Sequence, residues 1–120
     1  MKNFRQFIKE DKEIKVGGYQ TTHHYMCPSA VRFIKKHSRM DHDPQDLEDI
    51  ARLSDDVFKI EEEVEKSGKV EKDQIESAQR LTDMVYDIIE KMGHKKSEAS
   101  YMDLHMDAIK DPKLAGSMKA

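Results

Sequence analysis

Three observations predict an all-α fold, a small helical bundle built on an antiparallel helical hairpin. Ile50, Leu53, Val57, Ile60 and Val64 recur in alternating steps of three and four, and Ala78, Leu81, Val85, Ile88 and Met92 repeat that spacing. Such steps put each set on one stripe of an α-helix, and two facing stripes take each other out of water. The polar connection between them, about Gly68 to Lys72, is so short that the two helices must run antiparallel. Finally, 37% hydrophobic against 38% charged residues suits thin helices that each bury one narrow face, not a deep multilayer core.

Along the chain, residues 1–26 read as an N-terminal arm. Phe4, Phe7 and Ile8 give residues 1–10 the pattern of a short amphipathic helix, too short to hold alone in water. Gly17-Gly18 and the lack of a sustained period make residues 11–26 a loop or extended arm, with a strand-like stretch from Ile14 to Val16. Residues 27–110 form the helical domain. Pro28 suits a first helical turn, where its missing N–H costs nothing, and Ala30, Phe33, Ile34 and His37 mark one face of a helix ending near Met40.

Asp43-Pro44 starts the next helix: Asp43 caps it, Pro44 pre-sets its first turn, and Asp46, Glu48 and Asp49 favour the positive end of its dipole. The hairpin helices are expected over about 45–67 and 73–93. Gly68 closes the first in a left-handed conformation, and Asp73 with Glu76 makes an acidic capping box for the second. Ser97 then caps a last helix whose Met102, Leu104, Met106, Ala108 and Ile109 form a broad apolar side. Asp111-Pro112 stops that helix, and residues 111–120 are a flexible tail.

A chain of 120 residues fits one small domain near the lower limit for burying a core unaided, so a homo-oligomer is expected. The single cysteine, Cys27, excludes an internal disulfide, and neither a signal-peptide core nor a run of 18 apolar residues occurs; the expected setting is cytoplasmic, without a membrane. The net charge of −3 conceals an asymmetry. Residues 1–40 hold 9 Lys/Arg against 3 Asp/Glu, whereas residues 41–67 hold 3 against 11. Either the basic third meets an anionic partner or the two segments pack on each other, and the second reading ranks first.

His23, His24 and Cys27 are the residues most readily assigned to a metal, since imidazole and thiolate suit borderline ions. A structural zinc site usually pairs two such clusters, and only the scattered His37, His42, His94 and His105 remain as completions. The competing reading is a packed loop. Arg32, Lys35, Lys36 and Arg39 fall on one face of the 28–40 helix, a row able to follow phosphates or to meet Asp46, Glu48, Asp49, Asp55 and Asp56. No aromatic platform accompanies the row, so nucleic acid is not favoured. No catalytic residue, Gly-rich phosphate loop or cofactor motif is identified, and no cofactor is expected. Met84, Met102 and Met106 are read as core.

His42-Asp43 superficially resembles the paired ligands of HD-type phosphohydrolases, but that family needs an additional upstream histidine and a distant aspartate. Glu61-Glu62-x-x-Glu65 resembles the EExxE run of the MazG-type nucleotide pyrophosphohydrolases, which hold magnesium with a later ExxD. That later element is missing: Asp83 follows Arg80 at this spacing, and Asp87 follows Met84. With Ile60 and Val64 inward, Glu62 and Glu65 are expected on the far side of their helix. The opening Met1-Lys2-Asn3-Phe4-Arg5-Gln6-Phe7-Ile8-Lys9-Glu10-Asp11 is similar to the start of many small proteins of T-even-like myoviruses, including those of cyanobacterial hosts. This resemblance implies a phage-encoded protein, in the virion or the host cytoplasm, and carries over no functional residue. The leading expectation is a non-enzymatic interaction or structural module that binds a protein partner or itself. The alternatives are a small metal-dependent pyrophosphohydrolase-like enzyme and a His/Cys metal-binding protein.

Overall fold

The computed structural model describes residues 15–16, 19–20, 28–38 and 43–111, with backbone alone at positions 15, 16, 19, 20, 28, 31 and 38. The element order is β1 (Lys15–Val16), β2 (Tyr19–Gln20), α1 (Pro28–Ser38), α2 (Pro44–Ser67), α3 (Lys72–Lys91), a 3-10 turn (Lys96–Ala99) and α4 (Tyr101–Lys110). The architecture is an all-α small bundle. Its two short strands pair antiparallel, Lys15 opposite Gln20 and Val16 opposite Tyr19, and lie against α2. The strand-like stretch expected up to Val16 coincides with β1. The expected N-terminal helix and the tail beyond Asp111 lie outside the described residues.

Local chemistry explains the helix ends. Asp43 accepts a hydrogen bond from the Gln45 N–H at 2.9 Å with Pro44 opening α2, as the sequence predicts. Gly68 closes α2 with φ +70°, and its N–H donates to the Val64 carbonyl at 2.8 Å. The start of α3 differs from expectation. Gln74 Oε1 accepts from the Glu71 N–H at 2.9 Å, so the helix begins at Lys72 and Asp73 lies inside its first turn. Gln74 is placed to reach back to Glu71, and this earlier closure displaces the Asp73/Glu76 box. Ser97 likewise is no helix cap: it sits within the 3-10 turn, and α4 begins after Ser100.

The hairpin of α2 and α3 forms the centre, with α4 packed on both helices and α1 on α2. Ile50, Leu53, Val57 and Val64 of α2 are buried as the heptad pattern predicts, as are Ala78 and Val85 of α3. Each hairpin helix also buries a second set of residues. On α2 these are Leu47, Ala51, Ser54, Phe58 and Glu61, and on α3 they are Thr82, Tyr86 and Ile89. Because α4 and α1 cover these flanks, the apolar stripes are wider than a two-stranded seam needs, and Ile60, Leu81, Ile88 and Met92 are left only partly buried. Met102, Met106, Ala108 and Ile109 anchor α4 in the core. Two expectations fail here. Met84 is 45% exposed and Leu104 is 51% exposed, because neither falls on the face its helix turns to the hairpin.

The interior also holds polar groups. Glu61 and His105 are fully buried and hydrogen-bonded to each other, and Asp55 is buried as well. Ser54 Oγ donates to Met102 Sδ at 3.7 Å. The EExxE expectation is therefore corrected: Glu61 enters the core, and Glu62 and Glu65 are half-buried, not on a solvent face. The reason is that α2 is packed by α1, α3, α4 and the strand pair together, which leaves it no wide far side.

Candidate functional site: a groove with a histidine cluster

One side of α1, the end of the 3-10 turn and the first turn of α4 line a groove of about 360 Å³. Arg32 and Lys36 stand at its basic side, Phe33 and Tyr101 form an apolar wall with ring centroids 6.0 Å apart, and His37 and Glu98 complete the lining. His37 is brought here by the same periodicity that buries Phe33 and Ile34. Its Nδ1–H donates to the Phe33 carbonyl at 2.9 Å and its ring stacks on Phe33 at 4.1 Å. With Nδ1 protonated, Nε2 carries the lone pair.

His94 reaches His37 through the way α3 ends. Gly93 adopts φ +87°, its N–H donates to the Glu90 carbonyl at 2.9 Å, and the His94 N–H donates to the Ile89 carbonyl at 3.1 Å. This pair of bonds is a Schellman closure, and it turns the chain sharply so that His94 meets α1. The His94 ring stands edge-on to His37 with centroids 4.5 Å apart. Glu98, four residues on, places Oε2 3.2 Å from His94 Nδ1, and the same oxygen accepts from the Lys95 N–H at 3.2 Å. Ligand atoms of His37, His94 and Glu98 all lie within 4.8 Å of one another.

The electrostatics follow from these placements. Burial holds the His37 pKa below the ordinary histidine value, the neighbouring His94 and Lys36 push it the same way, and the Phe33 carbonyl opposes them. Glu98 is held below the usual glutamate value, first by the Lys95 N–H and then by the nearby His94, His37 and Lys36, with desolvation opposing.

Of the residues the sequence singled out, Arg32, Lys35 and Lys36 are exposed along α1, and Arg39 lies outside the described residues. Four of the five acids expected to meet this row are placed elsewhere. Asp46 pairs with Lys91 at 3.0 Å, Asp49 with Arg52 at 2.8 Å and Asp56 with Lys59 at 4.0 Å, while Asp55 is buried. Arg32 donates to Ser29 Oγ at 3.2 Å, and neither Arg32 nor Lys36 has a carboxylate partner within ion-pair distance among the described residues. His23, His24 and Cys27, and with them His42, also lie outside the described residues. His94 and Glu98 were missed as a pair, although their i, i+4 spacing directly after Gly93 is visible in the sequence. Only the fold brings His37 to them across 57 residues. The chain matches no protein-family model, no curated protein and no solved structure.

Proposed function

We propose that the chain is a non-enzymatic interaction module whose working surface is the basic face of α1 and the groove beside it, and that it docks an acidic protein surface, in the first instance a second copy of itself. The observation that carries this reading is the exposure of Arg32, Lys35 and Lys36 beside a groove whose rim includes the half-exposed Leu104. An apolar contact flanked by cations is the composition of a protein-binding surface more than of a phosphate track. The carboxylates of the EExxE run support the non-enzymatic reading. Glu61 is held against His105 and Glu62 pairs with Lys66 at 3.1 Å, so these two carboxylates are turned to different partners. No described helix is long and apolar enough to cross a membrane. A phage-encoded setting, in virion or host cytoplasm, rests on the leader resemblance alone.

Sedimentation velocity over a range of concentrations and salt tests the proposal, with duplex and single-stranded DNA binding measured in parallel. Association that weakens with salt and is lost in Arg32→Glu/Lys36→Glu, at unchanged circular dichroism, is the expected result. A monomer at every concentration removes the self-docking reading. Submicromolar DNA binding by the parent that is abolished in the variant replaces the module with a nucleic-acid-binding protein.

A further inference from the structure

Beside the groove, two imidazoles and a carboxylate from α1, the turn after α3 and the 3-10 turn come together. We propose that His37, His94 and Glu98 bind one divalent transition-metal ion of the zinc class, with a coordination position left open toward the groove.

The donor set is the first argument. Two histidines and one carboxylate suit zinc and its first-row neighbours, whereas magnesium and calcium require a shell made mostly of oxygen. Distance is the second. Donors bonded to a tetrahedral ion at about 2.0–2.1 Å sit about 3.3 Å apart. The three ligand atoms already lie within 4.8 Å of one another, and His94 and Glu98, at the surface end of the cluster, can close the remainder by side-chain rotation.

Pre-organisation is the third argument. A metal-bound histidine ordinarily donates its other ring N–H to a carbonyl or carboxylate, which fixes the tautomer and the ring plane. His37 makes that bond, Nδ1–H to the Phe33 carbonyl, and Phe33 stacks against the ring to hold its orientation. The backbone of His94 is fixed by the Schellman closure, and Glu98 is held by the Lys95 N–H. The burial runs from His37 inside through His94 to Glu98 outside, so an ion here is anchored on one side and open on the other. Three protein ligands with an open fourth position leave room for water or for a donor atom from a docked partner.

The test uses the full chain without an affinity tag, stripped with a chelator and titrated with zinc by calorimetry and with cobalt by visible absorption. The expected result is one equivalent bound, a raised melting temperature, and ligand-field bands for cobalt. His94→Ala and Glu98→Gln, at the surface end of the cluster, should each weaken binding by more than about tenfold while the circular dichroism of the metal-free protein stays unchanged. His37 is left intact because its burial makes it part of the fold. Absence of stoichiometric binding in the parent overturns the proposal. So does binding that survives both substitutions, or that disappears only when His23, His24 and Cys27 are replaced.

Discussion

His105 Nδ1 on α4 lies 2.7 Å from Glu61 Oε1 on α2, and both side chains are shut off from solvent. This contact joins residues 44 positions apart in sequence, and the Phe58 ring packs 4.3 Å from the imidazole to exclude water around it. Removing either partner strands a buried polar group, which costs more than the pair itself contributes. Glu61→Leu and His105→Leu are each expected to destabilise the protein by about 3 kcal/mol. The double variant should lose clearly less than the sum, which urea denaturation of the four proteins would reveal. Additive losses would mean that the two groups do not act as a pair.

Tyr86 OH donates to Asp103 Oδ1 at 2.9 Å and so ties α3 to α4. Burial first, then the hydrogen bond and charge of Asp103, raise the phenol pKa well above its ordinary value of 10.0. A raised pKa means that the folded state keeps the proton when the unfolded state has lost it. The stabilisation is therefore complete below pH 10.0 and declines as pH climbs from there toward the folded-state value. Tyr86→Phe should cost about 1 kcal/mol near neutrality and flatten that alkaline decline. Chemical denaturation at pH 8 and at about pH 11 would measure both effects.

Val57 and Val85 are fully buried at the centre of the hairpin. Val57→Asp or Val85→Asp places a carboxylate there without a partner, and a loss of about 4 kcal/mol or more is expected, enough to unfold a small domain. Circular dichroism melts would show it. Two variants melting within a few degrees of the parent would contradict the packing of α2 on α3.

Gly93 carries φ +87°, a region that side-chain-bearing residues rarely adopt, although a Cβ there meets nothing within 4 Å. The penalty of Gly93→Ala is thus conformational, about 1 kcal/mol, and not steric crowding. Because this turn aims His94 at His37, the same substitution should also broaden or shift the His94 imidazole resonances in NMR spectra. Unchanged stability with unchanged resonances would show that the closure does not position the histidine.

What the sequence determined by itself is the local and periodic part of the protein. The steps of three and four from Ile50 to Val64 and from Ala78 to Met92 define helices because hydrophobic spacing maps directly onto a helix face. Asp43-Pro44 and Gly68 delimit α2 because capping depends on a few adjacent residues. The Asp73/Glu76 box and the Ser97 cap misplace two boundaries, since several residues compete for each helix end and only the backbone path selects Glu71 and Ser100. Tertiary structure decided how wide each buried stripe is, and so which of Glu61, Glu62 and Glu65 enters the core, because that depends on which neighbours cover the flanks of α2. It decided the site as well. His94 and Glu98 stand four residues apart and are local partners, but His37 joins them only when α1 docks beside the end of α3, and no one-dimensional period encodes a contact across that distance.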